Sequence, residues 1–393
     1  MKRSIEIVEV TTKAQQKEFV KYPLRLYKDN AYFVPPLFGD EMSIFTDKNV
    51  YYKTCESVFY LAKREGKTVG RIQGILQKQY NELKGVTQVR FSRFDAEDDE
   101  EVASALFDAV ETWAKSKNAS EVIGPLGYSD LEREGLLIEG FDFLSTFEEQ
   151  YNYPYYQRLI EGCGYEKDVD WVEYRLYPEV YNHEKLVKFG ENAMRRHNLH
   201  FADRSLPKKQ FIKKYKDGIF ACLDECYREL YGTVPFTEEM KKQMIDQFVL
   251  VINLDYLFAI CDETEKVVAF GFGIPGFGKA LQKSGGRLTP LTLINMLKLV
   301  KRPTSVDLAL VGVLPKYQRS GLVAVMIAGL QDMLLKDNLE YMETNLNLEN
   351  NIAVQGQWKY FKHTQHKRRR AFIKKLGGIS YDATEEENRT KNP

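Results

Sequence analysis

Residues 313–324 run V-L-P-K-Y-Q-R-S-G-L-V-A. The segment before them, 307–313, is apolar at nearly every position, as a central strand is. Pro315 stops it. A helical pattern then begins at Gly321, with apolar Leu322, Val325, Met326, Ala328, Leu330 and Met333. The start of a helix carries unpaired N–H groups and about half a positive charge. Gly321 lets an anion come close to the backbone, Ala324 spares room one turn later, and Arg319 adds a cation. These are the parts of a pyrophosphate cradle. The order matches neither GxGxxG nor the Walker pattern. On this reading a Gly321→Glu change abolishes anion binding with little loss of stability.

Other residues able to do chemistry are scattered. Glu343 stands near the end of the next apolar strand, and Asp307 lies in the strand before the turn. The densest basic run, His363 to Arg370, could meet a phosphate or an acidic substrate, or be a solvated segment beside a strand. His363 and His366 have no metal-ligand company nearby in sequence, and no metal site is expected. The five cysteines form no CxxC pair and fit free thiols in a reducing compartment. Cys163 sits at a helix end, where the dipole disfavours a thiolate. No Gly-x-Ser-x-Gly elbow occurs.

The elements that must hold these residues fall into two series. The first half reads β-α-β-β-β-α-β-α-β. Its hairpin turns at Glu65-Gly66-Lys67, and its amphipathic helix over 100–116 puts Val102, Leu106, Ala109, Val110 and Trp113 on one face. From about residue 178 a similar order begins again. A repeat of topology with little repeat of sequence implies two related units, 1–177 and 178–381, with a disordered tail at 382–393. The 393 residues carry a formal net charge of zero, which argues against a mainly electrostatic nucleic-acid binder. There is no signal-peptide pattern and no apolar run of transmembrane length, so a cytoplasmic protein without a membrane partner is expected. The long, Gly-punctuated acidic loop 127–150 is of the kind that is functional or mobile. The Tyr-rich run 151–156 fits ordinary packing first and a pocket wall second.

The 313–324 segment resembles motif A of the GCN5-related N-acetyltransferases, V-x-P-x-[YF]-[QR]-x-x-G-[LIV]-[GA]. Its core falls on Gln318, Gly321, Val323 and Ala324, with Val323 where many members have Gly. Asn350, Ala353 and Trp358 are similar to the family's segment that holds the pantetheine arm. The resemblance is supported over about 185–378 and is weak over 1–177, where the turn 95–101 packs carboxylates where phosphates would go. It implies an α/β fold of two such domains, each a mixed, mostly antiparallel twisted sheet flanked by helices, the first degenerate. It implies acetyl-CoA as co-substrate, held by Val311, Val313, Gln318, Arg319, Ser320, Gly321, Leu322, Val323, Ala324 and Asn350. Glu343 is then the base candidate, and Tyr360 the displaced candidate for the acid that meets the thiolate. The implied activity is acetyl transfer to a small-molecule or protein amine, without a nucleic-acid partner. The alternatives are a binding protein that has lost turnover and aminoacyl transfer from tRNA.

Overall fold

The structure is a computed structural model and describes residues 4–336 and 339–377. The expected tail, 382–393, lies outside them. The first series contributes strands β1 (Glu6–Glu9), β2 (Cys55–Arg64), β3 (Lys67–Gln77), β4 (Gln88–Ala96), β5 (Glu121–Gly124), β6 (Leu136–Glu139) and β7 (Glu166–Val180). The second contributes β8 (His200–Phe201), β9 (Leu257–Cys261), β10 (Val267–Pro275), β11 (Ser305–Val313), β12 (Tyr341–Thr344), β13 (Asn347–Leu348) and β14 (Phe361–Lys375).

Local chemistry accounts for most of these elements. The β2–β3 turn places Glu65 and Gly66 at positive φ, the conformation that tight hairpins need. Thr12 and Gln15 cap the helix Lys13–Leu26 reciprocally. The helix Glu100–Ser116 buries Val102, Leu106 and Val110 completely. In the acidic turn before it, Asp99 accepts from the N–H groups of Glu101 and Val102. Arg64 pairs with Asp99, and Arg158 with Asp98 and Glu100. A carboxylate thus fills the helix start where the second series has its open turn.

Among the described residues the strands form one continuous sheet of fourteen, in the order β1-β2-β3-β4-β5-β14-β7-β12-β11-β10-β9-β8, with β6 on β14 and β13 on β7. Among the described residues, only β4/β5 and β11/β12 are parallel. The two series are topological counterparts, and they exchange their closing strands: β14 lies beside β5 of the first, β7 beside β12 of the second. Antiparallel β7 and β14 run together from Phe361↔Val180 to Ile373↔Glu166.

This exchange changes the meaning of the basic run. It is the middle of β14, and Lys367 and Arg369 are fully buried; they face neither solvent nor a phosphate. The Tyr-rich run packs into the first core. Tyr27 donates to Asp95 and shares a hydrogen bond with Tyr156, while Tyr151 and Tyr153 lie against the Tyr27 ring.

Candidate functional site

The strands β11 and β12 pair only as far as Leu308↔Thr344. Beyond that point they part. β11 continues along β10 to Val313, while the chain after β12 turns onto β7 as β13. Asn345 pins the apex: its N–H donates to Leu308 O at 3.2 Å and its Nδ2 to Ala309 O at 3.1 Å. The result is a wedge with a free strand edge on one side. The Tyr227 hydroxyl occupies that edge, donating to Val311 O at 3.1 Å and lying 3.4 Å from Val311 N. Burial pushes the Tyr227 phenol above its ordinary pKa, so it stays a neutral donor.

The turn expected to bind an anion lies at the mouth of the wedge. Gln318 donates to Val313 O, and the Ser320 hydroxyl accepts from Leu322 N–H. The backbone N–H groups of Arg319, Gly321 and Val323 find no acceptor among the described residues. Arg319 is exposed. Open donors at a helix start with a cation beside them suit a pyrophosphate. Gly321 has φ +94°, and a Cβ there would lie 2.8 Å from the Phe189 ring. Its α-carbon therefore faces the helix His183–Arg196. The left-handed backbone favours glycine there, although the exposed Phe189 ring can move aside; the strained φ overturns the expectation that its replacement spares stability.

The wedge opens into a cavity of about 750 Å³, within the roughly 300–1,000 Å³ of small-molecule sites. Val311, Val313, Gln318, Val323, Asn345, Asn347 and Trp358 belong to its wall. Its long side is apolar, built from residues such as Phe211, Phe248, Phe270, Leu310, Met326 and Met333. Its other end is acidic: Asp130, Glu132, Glu134, Glu148 and Glu149, all from the 127–150 loop. That loop is held in place. Asn152 clamps both backbone groups of Leu137, Arg369 donates to Gln150 O, and β6 pairs with β14.

Several sequence candidates stand elsewhere. Leu322 and Ala324 are buried in the packing beneath the turn. Asn350 is exposed and outside the wall; Asn345 holds the wedge instead. Tyr360 packs beside Trp358 and Phe361, and its carbonyl accepts from Tyr181 and Gln331. Tyr227, not Tyr360, brings a hydroxyl to the wedge.

Glu343 is 2% exposed and enclosed by basic side chains. Arg175 Nε is 3.1 Å away, His366 Nε2 2.9 Å, and Lys367 Nζ touches it. Burial alone would raise its pKa, but Lys367, His366 and Arg175 together hold it far below the usual carboxylate range. A carboxylate so stabilised is a weak base. Glu173, Glu343 and His366 bring their ligand atoms within 4.8 Å of one another, company for His366 that sequence neighbours did not reveal. Lys367 lies against both carboxylates and supplies the compensating charge. The acidic end of the cavity is the opposite case. Burial lifts Glu148 to about 7 and Glu149 to about 8, with Arg133 and Arg369 respectively opposing the shift.

A continuous sheet of two topologically matched halves, with a parallel pair that splays over a motif A turn, defines a tandem protein of GCN5-related N-acetyltransferase fold. Solved structures agree. A tandem protein of this class from the clavulanic acid biosynthesis pathway superposes with a TM-score of 0.52 at 11% identity, covering 95% of this chain and 98% of that one. The GCN5-related glucosamine N-acetyltransferase region of a fungal multi-domain GH3 β-N-acetylglucosaminidase gives 0.53 at 11% identity, over 95% of this chain and 38% of that one. Among curated proteins, the chain is 27% identical over 366 residues to Protein YghO of Escherichia coli (strain K12), covering 92% of this chain and 93% of that protein. It is 27% identical over 386 residues to Bacterial ceramide synthase of Caulobacter vibrioides (strain NA1000 / CB15N), covering 95% and 98%. No family model matches the chain.

Proposed function

We propose that this protein is an N-acyltransferase that takes a long-chain acyl group from an acyl-CoA thioester and passes it to an amine. The apolar cavity carries this reading. It is continuous with the wedge and the turn, and an acetyl group would leave most of it empty. The cofactor's pyrophosphate would meet the N–H groups of Arg319, Gly321 and Val323. Its pantetheine arm would replace the Tyr227 hydroxyl along the β11 edge, and the acyl chain would extend past Leu310 and Met326. The relative named Bacterial ceramide synthase supports an amide-forming acyl transfer with lipid-sized substrates.

Transfer then needs an amine nitrogen to attack the thioester carbon while the carbon–sulfur bond breaks. The Tyr227 hydroxyl, neutral and displaced only as far as the wedge, would donate a hydrogen bond to the departing thiolate. Titration calorimetry with myristoyl-CoA and acetyl-CoA tests the reading. Myristoyl-CoA binds at least a hundredfold tighter on this account. Equal affinity, or no binding of either, overturns it.

A further inference from the structure

Two carboxylates in the cavity have no chemistry assigned to them. Glu134 is 7% exposed and has neither a hydrogen bond nor an ion pair among the described residues. Its Oε2 points toward Gly232, in the segment after the helix Lys208–Tyr227. Glu148 likewise lines the cavity without a partner at contact distance. Unpaired buried carboxylates are costly, and a cationic ligand removes the cost. We propose that Glu134 seats the protonated amine of the acceptor and takes its first proton. This rests on the acyl-transfer reading. The ammonium gives one proton to a carboxylate, the freed amine nitrogen forms the C–N bond, the C–S bond breaks, and the second proton ends on the thiolate.

The groups around Glu134 fit that task, and Glu148 stands apart from it. Glu134 faces the charges of Asp130, Glu149 and Arg90, and burial raises it well above an ordinary carboxyl. Glu148 faces Arg133 and Asp307. Both carboxyls hold a proton more readily than an exposed one.

The test is calorimetry of the whole protein with decylamine, decanol and myristoyl-CoA. Glu134→Gln is expected to weaken decylamine binding at least tenfold while leaving decanol and myristoyl-CoA unchanged. Unaltered decylamine binding, or equal loss of decanol, overturns the proposal. Should Glu134→Gln fail to fold, Glu134→Leu is measured against the same outcomes. Failure of myristoyl-CoA to bind the unaltered protein would sink the acyl-transfer reading, while the decylamine arm still decides the ammonium seat.

A second inference rests on a different face. Between Gly276 and Ser305 the chain has six Lys and Arg residues and no Asp or Glu, in a protein of zero net charge. All six, Lys279, Lys283, Arg287, Lys298, Lys301 and Arg302, are exposed, and none is in an ion pair among the described residues. The helix Pro290–Lys301 turns Thr292 and Met296 inward and leaves Leu291 67%, Ile294 51% and Leu297 50% exposed, with Leu288 beside them. An exposed apolar row flanked by cations is the pattern of a helix lying in a bilayer interface. We infer that this face docks on an anionic membrane surface. The same helix packs near Phe248 and Phe272, which line the cavity, so docking would set the cavity beside a supply of lipid. No helix among the described residues is long and apolar enough to cross a membrane; the contact is peripheral.

Vesicle flotation tests it, with phosphatidylglycerol–phosphatidylcholine vesicles against phosphatidylcholine alone. Binding to the anionic vesicles is expected, weakened tenfold or more by Lys298→Glu with Lys301→Glu, and separately by Ile294→Glu. No binding at low salt, equal binding by the variants, or binding to duplex DNA without binding to vesicles overturns it.

Discussion

Glu343 is a buried carboxylate and Glu148 a half-buried one in the cavity wall, and their surroundings make opposite demands on them. Replacing Glu343 with Gln would leave Arg175 without its ion-pair partner and Lys367 with Glu173 alone, 3.6 Å away. The expected cost is roughly 3–5 kcal/mol of stability, seen as a lower urea midpoint; loss of activity in that variant follows from loss of fold. Glu148 behaves in reverse. Its pKa rises on folding from 4.5 to about 7, so the folded protein binds the extra proton. That contribution is fully present below pH 4.5 and is lost as pH rises through 7. Glu148→Gln should therefore leave stability nearly unchanged at pH 4.5 and raise it by roughly 2–3 kcal/mol at pH 8. Equal urea midpoints at pH 8 would refute this. Tyr227→Phe should lower kcat by about a hundredfold without weakening donor binding. Sequence placed Glu343 near the end of a strand, but Arg175 comes from β7, 168 residues away along the chain, and Lys367 from β14. Tyr227 carried no local signal, since only the meeting of its helix with β11 gives the hydroxyl meaning.

At the scale of elements, what is local in sequence was legible. The strand–turn–helix around Gly321 is found as read from 305 to 336, because proline, glycine and apolar spacing act on near neighbours. The packing beneath the turn was not, because Phe189 lies more than a hundred residues earlier. Gly321→Ala should consequently destabilise the fold by about 1–2 kcal/mol or more, from the positive φ and the crowded Cβ. Arg319→Glu, at an exposed position, separates the two roles: CoA affinity should fall about tenfold with an unchanged melting temperature. The loop 127–150 was visible as unusual in length and charge. Its order comes from Asn152, Arg369 and β6, contacts that composition does not announce.

The whole molecule shows the repeat that the order of elements implied, joined in a way that no pattern within either series contains. Each half's closing strand completes the other's sheet. Residues 1–177 alone would lack β14 beside β5 and should not fold cooperatively. Circular dichroism melting of that fragment would show a cooperative transition only if the exchange is dispensable.

The central claim is that a hydrocarbon chain fills the cavity behind the motif A turn. The most direct measurement is thiol release from CoA thioesters of increasing acyl length with a long-chain amine as acceptor. Each buried methylene contributes about 0.8 kcal/mol, or roughly fourfold in kcat/KM until the cavity is full. The account predicts a steep rise from acetyl to myristoyl. A flat series, or one in which acetyl-CoA is the best donor, would contradict it.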